Sequence, residues 1–199
     1  ADEVNGEILY ESEIPNPKTP YGKSKLEAEF FLLDHKLPKH KKVYILRPCM
    51  IHGPGNKGNL NLLHQMVQTG APWPLGSFSN KRSFTSIDNL AYVIELVLKK
   101  EFDQGVYQVA DDEYMSTNQI VELISNSKGK KARIWKIDKK LIFLLAKLGD
   151  ILNLPLNSER LKKLTESYVV SNNKLKKALN TDKMPVTAEE GIKKTISSF

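Results

Sequence analysis

An α/β chain is the fold this sequence predicts, and two observations predict it. Short β-rich runs, Val43-Tyr44-Ile45-Leu46 and Gly105 to Ala110, alternate with segments whose apolar residues recur at helical spacing. Glycine- and proline-bearing turns separate the two kinds of segment, the pattern of a sheet carrying helices on its faces. At 199 residues the chain can bury a real core, as one domain or one and a half.

Composition excludes several classes of function. The chain is 40% hydrophobic and 27% charged, ordinary values for a globular protein. Its net charge of +7 is spread over short lysine runs rather than one block. That reads as a lysine-rich surface, suited to an anionic substrate, rather than a nucleic-acid site. The single cysteine, Cys49, excludes an internal disulfide and a thiolate metal cluster, and its apolar strand makes it a small buried hydrophobe. Four scattered histidines have no metal-ligand spacing. No signal peptide and no apolar run long enough to span a bilayer is present, so a cytoplasmic setting is expected.

Residues 1–18 have loop character rather than that of a starting strand. Thr19 and Pro20 then read as the N-cap and first residue of a helix along which Leu26, Phe30, Leu33 and Leu37 recur, until Pro38 and the basic run to Lys42 end it. Tyr21 and Lys25, four apart, stand on one face of that helix. A free phenol titrates near ~10, and bringing one to about 7 takes roughly 4 kcal/mol. A cation ~5 Å away at an effective dielectric of ~20 supplies about 3 kcal/mol. Lys25 with a second positive charge would therefore make Tyr21 a proton-transfer group at neutral pH. The alternative is a solvated helix face, and lysine is so common here that the pair alone proves little.

The context decides. The run "PNPKTPYGKSKLEAE", residues 15–29, resembles the active-site helix of the extended short-chain dehydrogenase/reductases, the NAD-dependent epimerase/dehydratases that act on nucleotide sugars. The resemblance implies the C-terminal part of a doubly wound, parallel-sheet (Rossmann-type) fold with a small mixed substrate lobe. Residues 1–110 would complete the NAD(P)-binding domain, with a substrate-contacting insertion near 53–82, and residues 111–199 would form the substrate lobe. The family's glycine-rich turn and a serine or threonine about 25 residues before Tyr21 are expected upstream of Ala1. By itself the chain is expected to be inactive and to bind cofactor weakly.

Later motifs follow the same family. Gly53-Pro54-Gly55-Asn56-Lys57-Gly58 matches Gly-x-Gly-x-x-Gly between a strand and a helix, but no acidic residue follows until Asp88, so it is not a dinucleotide fingerprint. Leu46 to Gly55 is similar instead to the family's "LRP-x-x-VYGPG", which makes Pro48 a neighbour of the nicotinamide. His52, in place of the usual tyrosine, is taken as structural. Lys57 to Leu60 opens a helix (59–69) whose free N–H groups suit phosphate. The resemblance implies substrate contacts at Asn59 and Leu60. It implies base contacts along the extended stretch holding Trp73 and Leu75, where Trp73 either stacks on the base or fills a groove. Arg82, in "KRSFTSIDNLA", would bind the diphosphate, for which its planar fork is suited. Arg160 is a doubtful second arginine.

Asp88 reads as the N-cap of a helix over 89–100, and Ser116 or Thr117 caps another with Ile120, Val121 and Ile124 inward. Residues 134–137 read as a small strand and Leu141 to Leu152 as a buried helix, membrane-surface contact being the alternative. Helices are expected over 157–164 and 172–179, and Thr187 with Glu190 is spaced as a capping box for the last. Through the resemblance, Tyr21 would take the proton from a sugar 4-hydroxyl and Lys25 would hold the nicotinamide ribose of NAD or NADP. The product would be a UDP-sugar 4-epimer, with reductase, dehydratase and inactive dinucleotide-binding sensor as alternatives. A homodimer through the tyrosine helix is the expected assembly, with no nucleic acid and no membrane span.

Overall fold

The computed structural model describes residues 8–35, 37, 38, 40–152, 154 and 157–199. The described residues open with a two-residue strand, β1 (Ile8–Leu9), where a loop was expected. Its partner is distant in sequence, β7 (Val169–Val170), which it meets in parallel register, so only the tertiary fold reveals it. Helix α1 (Pro20–Asp34) starts as read: the Thr19 hydroxyl accepts from Gly22 N at 3.1 Å and Pro20 sits in the first turn. It ends at Asp34, with His35 already in extended backbone, ahead of Leu37 and Pro38.

The central strand changes partner midway. β2 (Tyr44–Pro48) pairs in parallel with β5 (Gly105–Val109), whereas β3 (Met50–His52) pairs in parallel with β4 (Arg82–Ser86). Cys49 is the hinge between them; its N–H lies 3.0 Å from Val109 O and 3.1 Å from Thr85 Oγ1. Burial, with Asp111 adding to it, pushes the Cys49 thiol up to about 12, which keeps it protonated and inert. The parallel pairs with helices between them are the α/β architecture the sequence predicts.

Between these strands lie α2 (Asn59–Gln68), which Gly58 opens with no side-chain cap, and α3 (Ile87–Lys99). Asp88 is not the cap of α3: Ser86 is, accepting from Asn89 N at 3.1 Å, and Asp88 in the first turn pairs with Lys194 at 2.6 Å. β6 (Tyr114–Met115) runs antiparallel to β4, and α4 (Thr117–Ser127) begins with a reciprocal Ser116–Gln119 capping box. Residues 134–137 form no strand. They make two single bridges of opposite sense, Ile134 to Trp73 and Lys136 to Leu75, so no ladder propagates.

The last third is helical. α5 (Lys139–Leu152) buries Ile142, Ala146 and Gly149 alone, so the expectation of a buried helix is corrected: one narrow stripe packs and the other apolar side chains face outward. α6 (Ser158–Thr165), α7 (Asn173–Leu179) and α8 (Ala188–Ile196) follow, the last opened by the Thr187–Glu190 capping box. α8 lies so close to β3 and β4 that a Cβ on Gly191 would come within 2.9 Å of Ser86 Cβ and 3.0 Å of His52 Cε1. Among the described residues no helix is long and apolar enough to cross a membrane.

Two apolar clusters hold the chain together. The larger joins Leu60, Trp73, Leu75, Phe84, Ile120 and Ile192. The smaller joins Val93, Tyr107 and Val109 to Leu175, Leu179 and Met184. Both draw on residues from either side of position 110, so the C-terminal helices stabilise the sheet they return to.

Candidate active site

The N-terminal motif folds into an open helix. No side chain of α1 is buried, and the helix is tied to the sheet by Glu29, whose carboxylate accepts from Arg47 Nε on β2 at 3.0 and 3.1 Å. A Cβ on Gly22 would stand 2.8 Å from Pro17 Cβ, so the glycine lets the proline-locked segment fold back over the first turn. Ser24 Oγ donates to the Tyr21 carbonyl at 2.9 Å. Tyr21 is 73% exposed, and the Lys25 ammonium lies 5.4 Å from the centroid of its ring. A phenol under a cation on a face open to a ligand is an arrangement able to pass a proton. Pro48 is exposed at the end of β2, the strand to which α1 is tied.

The other motif residues gather around the larger core. Asn59 is exposed in the first turn of α2, while Leu60 behind it is buried. Leu60, Trp73 and Leu75 belong to one cluster, and the Trp73 indole donates to Asn118 Oδ1 at 2.8 Å. The Trp73 ring and Leu75 are thus core side chains, and the Trp73 backbone is paired as well, its N–H donating to Arg133 O and its carbonyl accepting from Trp135 N, each at 2.8 Å. Asn118 also donates to Gly76 O and Phe78 O, at 3.3 and 3.1 Å, holding the stretch in place.

Arg82 is a mostly buried side chain at the start of β4. One terminal nitrogen donates to Lys163 O of α6 at 2.6 Å and the other lies 3.8 Å from Glu166, while Nε is buried without a partner. Burial lowers its pKa and Glu166 acts the other way. Leaving a buried donor orphaned costs on the order of 1–3 kcal/mol. Arg160 is exposed on α6, the helix whose Lys163 carbonyl Arg82 reaches. Asn80 buttresses the same corner: its amide nitrogen donates to Thr117 Oγ1 and to the carbonyls of Leu164 and Glu166. A cleft of about 450 Å³ lies elsewhere, between the ends of α2 and α4, and of the motif residues only Trp73 lines it.

Sequence reasoning passed over Asn80, Asn118 and the three acids after β5. Asp111 accepts from Ser86 N at 3.0 Å and Asn89 Nδ2 at 2.7 Å, with His52 Nε2 3.5 Å away. His52 is itself buried, its Nδ1 2.9 Å from Thr195 Oγ1, in keeping with a structural part. Asp112 holds Lys176, Asn172 and Met184 N, and Glu113 accepts from Ala188 N at 3.0 Å. Three consecutive carboxylates at the end of a β-rich run were the available signal.

Known proteins bear on this geometry. Over 185 residues the chain is 31% identical to a UDP-glucose 4-epimerase of Vibrio cholerae, covering 92% of this chain and 54% of that protein. Over 176 residues it is 29% identical to an N-acetyl-α-D-glucosaminyl-diphospho-ditrans,octacis-undecaprenol 4-epimerase of Escherichia coli O157:H7, covering 86% of this chain and 50% of that one. The chain therefore spans about half the length of the curated relatives it matches. Its fold matches 57% of a UDP-glucuronic acid 4-epimerase of Bacillus cereus, solved with NAD, over 99% of this chain, with a TM-score of 0.70 at 19% identity. A model of the NAD dependent epimerase/dehydratase family matches residues 2–110, which hold the Tyr21–Lys25 helix and the strands β2 to β5. More than half of the chain is matched in this way, and it belongs to that family.

Proposed function

We propose that the protein is an NAD(P)-dependent sugar 4-epimerase working through a 4-keto sugar, on a substrate whose sugar is carried by a diphosphate. The observation that carries this reading is the Lys25 ammonium 5.4 Å from the ring of an exposed Tyr21. The residues present fit a nicotinamide dinucleotide: an open face over that pair, with Pro48 exposed on the strand beside it. Tyr21, Lys25 and Pro48 would hold it, and when bound it supplies the acceptor and donor of hydride. Tyr21 takes the proton from the sugar 4-hydroxyl and returns it. Lys25 stabilises the phenolate and holds the ribose. Asn59, Leu60, the stretch holding Trp73 and Leu75, and Arg82 would take the rest of the substrate, Arg160 being the weaker candidate. On this reading residues 1–110 carry the cofactor side, with a substrate insertion near 53–82, and residues 111–199 the substrate lobe.

The relatives' names give two carriers of the sugar diphosphate, a nucleoside and a polyprenol. A UDP sugar is the first substrate to try. Self-association through α1 belongs to the same proposal, since Phe30, Phe31 and Leu33 are at least half exposed there.

The test is interconversion of UDP-glucose and UDP-galactose, and of their N-acetyl forms, by the full-length gene product with and without Tyr21→Phe. The variant should lose on the order of 10²–10⁴-fold in turnover while still binding NADH, followed by its fluorescence. Cofactor binding without turnover in the parent protein would favour the sensor alternative, and turnover untouched by the variant would end the reading of Tyr21.

A further inference from the structure

We propose that the outward face of α5 lies on the surface of an anionic lipid bilayer, and that the substrate sugar is carried there on a lipid diphosphate. The second half rests on the diphosphate-sugar reading above; the first does not. Leu141, Leu144, Leu145, Leu148, Ile151 and Leu152 are 44–76% exposed. At ~3.6 residues per turn they fall in one sector of the helix, away from the buried stripe of Ile142, Ala146 and Gly149. Six such side chains on a 14-residue helix form a contiguous patch of the kind that marks an interaction surface.

Charge selects the occupant. Lys140 and Lys147, seven apart, border the apolar sector, and Lys139 stands at the start of the same helix. Asp150, its one carboxylate, is occupied: it accepts from Ser158 N at 2.9 Å and from Ser158 Oγ. The exposed apolar side of α1 differs, for Glu27 and Asp34 stand on that helix among its lysines, as suits a protein partner. An apolar sector edged by cations alone is complementary to anionic headgroups over acyl chains. Fourteen residues are too few to span, since about 20 are needed, so the helix would lie in the plane of the interface.

Position connects the patch to the site. The Phe143 ring packs edge-on against Phe78 at 5.8 Å, and Lys139 lies 5.5 Å from the centre of the same ring. Phe78 is four residues ahead of Arg82, and Arg82 reaches α6, which packs along α5. Phe143 turns away from the apolar sector, so a bilayer under α5 would lie about one helix diameter, ~10 Å, from the Phe78 side on which the arginine proposed for the diphosphate stands.

The experiment is co-sedimentation of the chain with vesicles of phosphatidylcholine, alone or mixed with phosphatidylglycerol. Binding is expected to the mixed vesicles and to weaken as salt rises. The Leu144→Asp/Leu148→Asp variant should bind roughly tenfold more weakly or worse, with its thermal unfolding unchanged because both side chains are exposed. The Lys140→Glu/Lys147→Glu variant should lose about tenfold on the mixed vesicles alone. No binding at low salt, or variants that bind as the parent does, would overturn the proposal. So would a dimer that the leucine variant dissociates, for then a second copy covers the face. Tyr21→Phe should leave vesicle binding untouched, so failure of the membrane reading and failure of the catalytic reading are told apart. In the full-length protein the leucine variant should lose turnover of a polyprenyl-diphosphate N-acetylhexosamine in vesicles and keep that of the UDP-linked sugar; equal loss on both would remove the lipid-carried substrate.

Discussion

Helix α1 and the turn after β5 are built on opposite principles. α1 carries the motif that identifies the family, yet it buries no side chain and meets the sheet through the Glu29–Arg47 pair. The turn Asp111-Asp112-Glu113 carries no motif, yet its acids bind the start of α3, the segment ahead of α7, Met184 and the N-terminus of α8. One region is proposed to present chemistry to a ligand, and it buries no side chain. The other is spent on holding elements together and meets no ligand in the proposed site. Substitutions in the two should therefore fail in different assays.

The largest expected effect is on turnover at the exposed end. Tyr21→Phe in the full-length protein should cost on the order of 10²–10⁴ in rate, read as kcat, with the urea midpoint unmoved. At the buried end the pattern inverts. Asp111→Ala would strand Ser86 N and one N–H of the Asn89 amide, whose nitrogen keeps its bond to Val186 O, at about 1–3 kcal/mol for each orphaned donor. A loss of about 3 kcal/mol in unfolding free energy, read as a lower urea midpoint, is expected. If Tyr21→Phe unfolds the protein as readily as Asp111→Ala, the contrast between the regions is wrong.

The same contrast explains what was legible in the sequence. Tyr-Gly-Lys-Ser-Lys, the two long parallel strands, the caps at Thr19, Ser116 and Thr187, and the inward face of α4 all rest on local rules of spacing and capping, and the structure has them. What escaped depends on partners far along the chain. β1 exists because Val169-Val170 offers an edge, and residues 134–137 lose strand status because Trp73 and Leu75 take them in opposite senses. Ser86 rather than Asp88 caps α3 because β4 delivers it there, and Lys194 of α8 claims Asp88. For α5, an apolar run implied burial, but a helix packed on one stripe keeps its remaining apolar side chains outside.

Acid should weaken the turn after β5. Burial raises the Asp112 pKa, but hydrogen bonds from Lys176, Met184 N and Asn172, with the charge of Lys176, outweigh it and hold the carboxyl below its ordinary value. A group depressed on folding stabilises the native state above its unfolded pKa of ~3.9, and that contribution is lost as pH falls through the lower, folded value. Urea midpoints from pH 7 to pH 2.5 should thus converge for the parent and Asp112→Asn below about pH 4. Curves that stay parallel throughout would show that Asp112 carries no such linkage.

The smallest expected effect compares the same chemistry in both places. Thr19 caps α1 and Ser116 caps α4, each accepting a backbone N–H at 3.1 Å. Replacing an N-cap by alanine costs about 1 kcal/mol when the helix it starts must form for the domain to fold. α4 meets that condition: it buries Ile120, Val121 and Ile124, and its first turn supplies Thr117 to Asn80 and Asn118 to Trp73. Ser116→Ala should therefore lower the unfolding free energy by about 1 kcal/mol, read as a lower urea midpoint with the slope unchanged. α1 buries nothing, so fraying its first turn withdraws little from the cooperative unit. Thr19→Ala should move the global unfolding free energy by about a few tenths of a kcal/mol at most, and raise hydrogen exchange at Gly22 and Lys23 instead. Equal shifts from the two caps would mean that α1 is covered in solution, by a second copy or by chain beyond the described residues, and that the tyrosine helix folds as part of a larger core.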